Sequence, residues 1–428
     1  MAQRTSENYI PRHVDQELDE LLPQLPAIAL EGPKGVGKTA TAERRARTVY
    51  YLDDPAHRAI AEADPTQVLV GEPPVLIDEW QRVPAVWDAV RRAVDRGAAP
   101  GSILLTGSAG PTSPPSHSGA GRIVTLRMRP LSLAERNVVT PTVSLRNLLS
   151  GNGEVEGSTD FGLADYVQEI VGTGFPAMRS LTGRARTLQL DGYLQRIIDR
   201  DFEEQGQSVR RPEILRSWLA AYAACLGTST SFEKIRNAAT PGQDHKPDRQ
   251  RTITYREILE RLWILDPVPA WLPSHSHLNR LGQAPRHDLA DPGLACRILG
   301  LDESALLSGQ EPSGMPAREG TLLGRLFESL MTLSLRVYAQ GLDARLHHLR
   351  LQGGRREVDL ILERPDRKVL AVEVKLSAEV KDKDVKHLVW LGEELGDNLV
   401  AGVVVNTGPR AYRRRDGVLV VPGVLMGA

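Results

Sequence analysis

Short apolar runs alternate with longer helix-like stretches between residues 26 and 136, and this pattern predicts the fold of the first third of the chain. A strand buried on both faces reads as a continuous apolar run, and strands that alternate with helices are typical of a parallel α/β sheet. We therefore expect an α/β domain built on a parallel sheet. Its strands are predicted at Ala27–Leu30, Val49–Leu52, Val75–Ile77, Ile103–Thr106 and Ile123–Leu126.

The pattern of polar and apolar positions changes twice further along the chain. Residues 160 to 270 carry mostly helical periodicity, and a long amphipathic stretch begins at Thr321. Alternating residues, which are typical of strands, follow at Arg356–Leu362, Val369–Leu376 and Val400–Asn406. The expected domains are an α/β domain (1–148), a helical region (159–272), a connecting segment (273–320) and a smaller α/β domain (321–428).

Composition narrows the class of protein. A length of 428 residues exceeds what one core usually supports, which agrees with several domains. The formal net charge of −1 gives no overall attraction to nucleic acid, so a polyanion would need a local basic patch. The two cysteines, Cys225 and Cys296, lie far apart, and no apolar run approaches the ~18 residues of a membrane helix. We expect a cytoplasmic protein without membrane contact.

The sequence GPKGVGKT follows the first predicted strand and precedes a run of helix-forming residues. In this context the glycines let backbone N–H groups form a nest for phosphate, and the helix N-terminus adds positive potential. The final lysine suits the β- and γ-phosphates, and the final hydroxyl suits magnesium. The segment predicts binding of ATP, or a closely similar nucleotide, with Mg²⁺. The expected contacts are Gly32, Pro33, Lys34, Gly35, Val36, Gly37, Lys38 and Thr39, with Thr39 also a metal ligand.

Two carboxylates follow the predicted strand Val75–Ile77 and complete the expected nucleotide site. Ligands bind beyond the carboxyl ends of parallel strands. Asp78 is expected to hold Mg²⁺, and Glu79 to polarise the attacking water as a general base. The next strand ends in Thr106 and Ser108, either of which suits a contact with the γ-phosphate or the water. The choice between these two hydroxyls stays open.

Phosphoryl transfer often uses an arginine that stabilises developing charge, supplied by the same chain or a neighbour. Arg122, Arg127 and Arg129 surround the last predicted strand of the first domain. We assign the role to Arg122; a solvated surface position is the alternative.

Acidic residues also alternate along the predicted strands near the C-terminus. If these strands form a hairpin, Asp359 lies opposite Glu373, with Cβ atoms roughly 5 Å apart. Two carboxylates at that separation can share one metal ion. Lys375 lies on the same face as Glu373, where it could orient water or stabilise a phosphate. Simple charge pairing on an exposed hairpin is the alternative.

The middle region has a modest excess of positive charge, because residues 182–256 contain 13 Lys or Arg against 9 Asp or Glu. Its helical runs end in Trp263-Ile264-Leu265, an order that resembles a winged helix-turn-helix. The third helix of such a unit contacts DNA through its N-terminal residues, here Thr252, Thr254 and Arg256. A helical lid or a dimer surface is the alternative. The helical runs are Pro212–Leu226, Ser231–Ala238 and Ile253–Leu262.

Several segments carry a family resemblance: GPKGVGKT, VLIDEWQRVP, ILLTGSA, RPLSLAE at Arg129–Glu135 and PRHDLADPGL at Pro285–Leu294. Together they resemble a group of largely uncharacterised prokaryotic AAA-type ATPases. The resemblance implies an AAA-like P-loop ATPase domain and a C-terminal domain similar to restriction endonucleases. Asp359 and the Glu373–Lys375 pair then resemble the PD-(D/E)xK nuclease motif, and Glu328 matches a glutamate that a preceding helix contributes.

Two hypotheses of function follow from these patterns. The first is an ATP-dependent protein that acts on DNA, with catalytic roles for Glu79, Asp359, Glu373, Lys375 and Glu328. The second is a nucleotide-switched regulatory protein whose nuclease-like domain is inactive and binds a partner. ATP and Mg²⁺ are expected cofactors under both hypotheses, and a homo-oligomer is compatible with either.

Overall fold

The computed structural model describes residues 9–109, 119–239, 248–272, 283–309, 321–351 and 354–428. Parts of the predicted connecting segment 273–320 therefore lie outside the described residues. None of the helices in the described ranges is long and apolar enough to span a membrane.

The first domain is a five-stranded sheet in which every pairing is parallel, in the order β2-β3-β4-β1-β5. This confirms the predicted parallel sheet. Ile28 and Leu30 pack on one face and Ala27 and Ala29 on the other, so apolar residues cover both faces of the central strand. The elements are α1 (His13–Leu21), β1 (Ala27–Glu31), α2 (Lys38–Glu43), β2 (Thr48–Tyr51), α3 (Pro55–Ala63), β3 (Val75–Asp78), α4 (Ala85–Asp95), β4 (Ile103–Gly107) and β5 (Val124–Arg127).

The segment that follows this sheet packs against the C-terminal part of the chain. Strand β6 (Val143–Ser144) pairs in parallel with the last strand, β13 (Met426–Gly427). The Leu133 N–H donates to the Ser334 hydroxyl at 3.0 Å, and the Ala134 N–H donates to the Tyr338 hydroxyl at 3.0 Å. Residues 131–144 therefore link the five-stranded sheet to the C-terminal domain.

The middle region is helical. Helices α10, α11 and α12 follow one another along the chain, and the Leu265–Leu289 and Val268–Arg286 bridges form an antiparallel pair after them. The helices are α5 (Leu145–Ser150), α6 (Leu163–Val171), α7 (Pro176–Arg179), α8 (Gly183–Arg196), α9 (Phe202–Glu204), α10 (Pro212–Ala224), α11 (Phe232–Ala238), α12 (Arg249–Arg261), α13 (Pro292–Ile298) and α14 (Glu303–Leu307), with a π-helical turn at Ile197–Asp201.

The C-terminal domain contains a mixed six-stranded sheet in the order β11-β12-β10-β9-β8-β7. Helix α15 packs against β7 and β9, whereas α16 packs against β9 and β10. The three strands predicted here are present as β8, β9 and β10. The elements are α15 (Leu322–Gln340), β7 (Arg345–Leu351), β8 (Arg356–Glu363), β9 (Val369–Lys375), α16 (Asp382–Leu395), β10 (Leu399–Asn406), β11 (Tyr412–Arg413) and β12 (Leu419–Pro422).

Candidate nucleotide site and C-terminal acidic cluster

The phosphate loop connects β1 to α2 at the carboxyl edge of the first sheet. Gly32, Gly35 and Gly37 have φ values of 156°, 81° and 97°, which L-residues with side chains rarely adopt. A Cβ atom on Gly32 would lie 2.0 Å from the Met128 carbonyl oxygen, so only glycine fits there. The Val36 side chain is buried, and its carbonyl oxygen accepts a hydrogen bond of 2.7 Å from Arg12.

Lys38 is the first residue of α2, and its ammonium group turns back into the loop. The Nζ atom donates to the carbonyl oxygens of Gly32 and Pro33 at 2.9 and 2.8 Å. Burial lowers the pKa of the Lys38 ammonium to about 8. The Lys38 ammonium is therefore held where it would contact a phosphate bound in the loop.

Lys34, in contrast, points away from the centre of the loop. Its ammonium is 2.6 Å from an Asp201 carboxylate oxygen and 3.1 Å from a Glu204 carboxylate oxygen. The Tyr193 hydroxyl also donates to the Lys34 carbonyl oxygen at 3.1 Å. The middle region thus contacts the phosphate loop directly, a connection that the sequence did not reveal.

Thr39 and Asp78 meet beside the loop. The Thr39 hydroxyl donates to Asp78 Oδ1 at 2.7 Å, and the Thr106 hydroxyl donates to the same oxygen. The β3–β4 register places Asp78 level with Thr106, which explains why these side chains share one edge of the sheet. Burial raises the pKa of the Asp78 carboxyl.

Glu79 adopts a left-handed backbone conformation, with φ 56°. The Ser108 hydroxyl donates to its carboxylate at 3.0 Å, and the Gln81 amide donates to the same carboxylate oxygen. The two hydroxyls considered for this edge therefore have different partners: Thr106 holds Asp78, whereas Ser108 holds Glu79. Non-glycine residues in this region of backbone space are strained, and such strain occurs preferentially at functional sites.

Arg122, predicted to stabilise charge on the phosphates, lies far from the phosphate loop of its own chain. Strand β5 runs parallel to β1 with Val124 level with Ile28, so Arg122 lies at the amino end of the sheet. Gly32 lies six residues closer to the carboxyl end of the sheet than the position on β1 that is level with Arg122. This separation corresponds to a distance on the order of 20 Å. The Arg122 guanidinium instead donates to Asp95 at 2.9 Å on the protein surface.

The C-terminal strands β8 and β9 form the predicted hairpin. Their register pairs Leu360 with Val372, so Asp359 and Glu373 are the next residues to face each other. The Lys375 ammonium is 2.7 Å from Glu373 and 3.7 Å from Asp359. Asp359 also accepts a hydrogen bond of 2.8 Å from the Val374 N–H. The three side chains lie together as the alternation predicted.

Arg286, which lies in the PRHDLADPGL segment, enters this cluster from the middle region, a contact that was not predicted. Its guanidinium forms an ion pair with Glu328, donates to the Asp359 carbonyl oxygen at 3.0 Å and donates to the Thr332 hydroxyl at 2.7 Å. Burial raises the pKa of Glu328 to about 8, and burial together with Asp359 raises that of Glu373. We name Glu328, Asp359, Glu373, Lys375 and Arg286 the C-terminal acidic cluster.

The two remaining resemblance segments have structural contacts. Glu135 in RPLSLAE accepts hydrogen bonds from Arg12 at 3.1 Å and from the His13 N–H at 2.8 Å. Asp291 in PRHDLADPGL caps α13 by accepting from the Gly293 N–H at 2.8 Å, and it also accepts from Thr173 at 2.7 Å. The first contact stays within residues 1–148, and the second joins two segments of the 163–305 region, so each segment stabilises the part of the chain to which it belongs.

The front of the third helix of the middle region differs from the prediction. Helix α12 begins at Arg249 because Asp248 caps it, accepting from the Arg251 N–H at 2.8 Å. Thr252 is consequently buried, and the Arg256 guanidinium lies 4.5 Å from the centre of the Phe232 ring. The exposed cations at the start of this helix are Arg249 and Arg251.

Comparisons with family models assign one of the three regions. Residues 24–137 match a model described as an AAA domain. Residues 163–305 and 323–425 match models described only as domains of unknown function (DUF8612 and DUF4143). The first region therefore matches an AAA domain, whereas no activity is attached to the other two.

The chain is also similar to two uncharacterized proteins, Rv2008c of Mycobacterium tuberculosis and Mb2031c of Mycobacterium bovis. Each is 24% identical over 344 residues, which cover 78% of this chain and 70% of the relative. Among solved structures, the Walker-type ATPase paby2304 of Pyrococcus abyssi is 14% identical with a TM-score of 0.38, and covers 70% of this chain and 98% of its own. The Aeropyrum pernix ORC2 protein is 15% identical with a TM-score of 0.29, covering 76% of this chain and 98% of its own.

Proposed function

We propose that the chain binds ATP together with Mg²⁺ and hydrolyses the terminal phosphoanhydride bond. The contact between Thr39 and Asp78 carries this proposal, because a hydroxyl and a carboxylate oxygen lie 2.7 Å apart beside a phosphate loop. Oxygen ligands of these types suit Mg²⁺, which also keeps several waters when it binds to proteins. The residues present therefore fit the ion.

Each residue around the loop has a role in this proposal. Lys38 and the loop N–H groups bind the β- and γ-phosphates, and Thr106 keeps Asp78 directed toward the metal. A bound magnesium ion supplies positive charge that offsets the phosphates. The Glu79 carboxylate first releases the Ser108 hydroxyl and then accepts a proton from the attacking water. Ser108 acts as a positioning residue for Glu79.

Glu79→Gln is expected to lower ATP turnover at least about a hundredfold, because the amide cannot accept the proton from water. ATP affinity should change less than about threefold, since the variant keeps Lys38, Thr39 and Asp78. Steady-state phosphate release and equilibrium binding of a fluorescent ATP analogue measure the two effects. Glu62→Gln, an exposed position on α3, is the matched control and should keep both values. Turnover at the parent rate in Glu79→Gln would remove Glu79 from the mechanism.

We propose second that the C-terminal acidic cluster is inactive as a nuclease in this arrangement and that its domain serves regulation. In the described part of the chain, no three His, Cys, Asp or Glu side chains are grouped as metal ligands. Lys375 already supplies positive charge to Glu373 and Asp359, at 2.7 and 3.7 Å, and Arg286 forms an ion pair with Glu328. This charge pairing supports an inactive cluster, and the metal-ligand role expected for Asp359 and Glu373 is the prediction that the cleavage experiment below tests.

DNA is the partner that we propose for the middle region. Arg249 and Arg251 are exposed at the start of α12, where a helix-turn-helix unit contacts the groove and backbone. The antiparallel pair after α12 supports the same assignment, because a winged unit carries a β-hairpin at that point.

A supercoiled plasmid mixed with Mn²⁺ and the full chain, with and without ATP, tests both parts of this second proposal. The parent is expected to retard the plasmid in a salt-dependent manner and to leave it uncut. The double variant Arg249→Glu/Arg251→Glu should weaken retention at least about tenfold, because it reverses two charges that face the phosphates. The matched double Arg413→Glu/Arg415→Glu, at exposed positions in the C-terminal domain, should retain the plasmid normally.

Two results would contradict this proposal. Metal-dependent nicking that disappears in Asp359→Ala would make the acidic cluster an active nuclease. Retention that the Arg249→Glu/Arg251→Glu pair leaves unchanged would exclude α12 as the DNA contact.

A further inference from the structure

A cavity of about 610 Å³ lies where strand β5, the C-terminal end of α15 and the segment after α12 meet. Its lining includes four arginines: Arg127, Arg129, Arg336 and Arg345. His347 also lines it. The cavity is separate from both sites above, since it contains no residue of the phosphate loop or of the C-terminal acidic cluster.

Asp266 is the shared partner of three of these arginines. Its carboxylate oxygens lie 3.0 Å from Arg127, 2.9 Å from Arg129 and 2.7 Å from Arg336. Glu17 is the other carboxyl group of the lining, and burial raises its pKa. Four guanidinium groups therefore face two carboxyl groups, and the cavity keeps an excess of positive charge.

Arg127 lines this cavity and has one N–H group without a hydrogen-bond partner among the described residues. Its guanidinium lies 4.4 Å from the centre of the Trp263 ring, which holds it in place. The Arg127 Nε atom is buried and has no hydrogen-bond partner among the residues that the structure describes. Burial and the neighbouring arginines Arg129 and Arg336 lower the pKa of Arg127, because a further positive charge is unfavourable there. A bound anion would relieve this repulsion.

We propose that this cavity binds a small phosphate-bearing anion, either a nucleotide or an inorganic polyphosphate. Guanidinium groups present paired N–H donors that match phosphate oxygens, and three of them are already fixed by Asp266. The volume lies within the range of roughly 300–1,000 Å³ that is usual for small-molecule sites. The partial exposure of Arg345 leaves an entrance for a ligand.

The cavity is close to the nucleotide site, so the two sites must be separated experimentally. Arg127 is level with Glu31 in the β1–β5 register, and Glu31 directly precedes the phosphate loop. The Lys38→Ala substitution disables the loop and leaves the cavity intact. The titrations therefore use this full-length variant without magnesium. This inference does not rest on ATP hydrolysis, since it concerns only a site that survives Lys38→Ala.

Isothermal titration of Lys38→Ala with inorganic tripolyphosphate should reveal one saturable site. Adding Arg345→Ala should weaken binding about tenfold, because one charge-assisted hydrogen bond is lost. Arg345 is exposed, so its replacement should not disturb folding. Arg413→Ala, an exposed arginine on β11, is the matched control and should leave the affinity unchanged.

A parallel titration with ATP distinguishes the two sources of phosphate. Tighter binding of ATP than of tripolyphosphate identifies a nucleotide site, and equal binding identifies a polyphosphate site; both results support the proposal. Absence of saturable binding by either probe in Lys38→Ala, or binding that Arg345→Ala does not weaken, would overturn it.

Discussion

Lys38→Ala is expected to lower ATP affinity at least about a hundredfold, whereas Lys34→Ala should change it less than about fivefold. Both lysines belong to the same loop, and they differ in where their ammonium groups point. Lys38 is buried and donates to two carbonyl oxygens of the loop, at 2.8 and 2.9 Å. A phosphate that enters the loop meets this charge directly. Equilibrium binding of a fluorescent ATP analogue measures both affinities.

Lys34 is the matched control because its charge is already paired. Asp201 and Glu204 hold its ammonium at 2.6 and 3.1 Å, on the side of the loop that faces the middle region. Its replacement removes a contact between regions and keeps the phosphate ligands. Equal losses of affinity in the two variants would mean that Lys34 also binds phosphate, and the proposed geometry of the loop would then be wrong.

The features that could be predicted from the sequence are local in the chain. The phosphate loop is one continuous segment whose glycines have a steric reason, as the 2.0 Å approach at Gly32 demonstrates. The Asp359–Glu373 pairing was predictable because a short hairpin fixes its own register. Burial of both strands also leaves little freedom to shift that register.

The features that could not be predicted depend on contacts between distant segments. Arg286 lies 73 residues from Asp359 in the chain, and only the packed structure shows that its guanidinium enters the acidic cluster. Lys34 and Asp201 are separated by 167 residues. The position of Arg122 could not be predicted, because proximity to a strand does not indicate which end of the sheet a residue occupies. The predicted start of α12 was too late, because the prediction followed the apolar periodicity and did not use the capping residue Asp248.

Asp266→Asn is expected to lower the free energy of unfolding by about 3–5 kcal/mol, the usual cost of leaving buried charges unpaired. Asp266 is 6% exposed, and its carboxylate is the common partner of Arg127, Arg129 and Arg336. The asparagine side chain keeps the shape and loses the negative charge, so three guanidinium groups would repel one another inside the protein. Urea unfolding followed by circular dichroism at pH 7 measures the loss.

Asp288→Asn is the matched control, because Asp288 is equally buried and its pKa is shifted in the opposite direction. The three arginines hold the pKa of Asp266 well below its ordinary value, so its stabilising effect is complete at pH 7 and is lost only as the pH falls below about 4. Burial raises the pKa of Asp288 to about 6, so its ionisation between pH 4 and 6 lowers the stability of the parent. Asparagine at 288 can still accept the 2.6 Å hydrogen bond from Ser329 through its oxygen. Asp288→Asn should therefore lower stability much less than Asp266→Asn at pH 7, and its stability relative to the parent should rise from pH 4 to pH 7. Equal destabilisation by the two substitutions, with no dependence on pH, would show that the arginines around Asp266 do not govern its contribution.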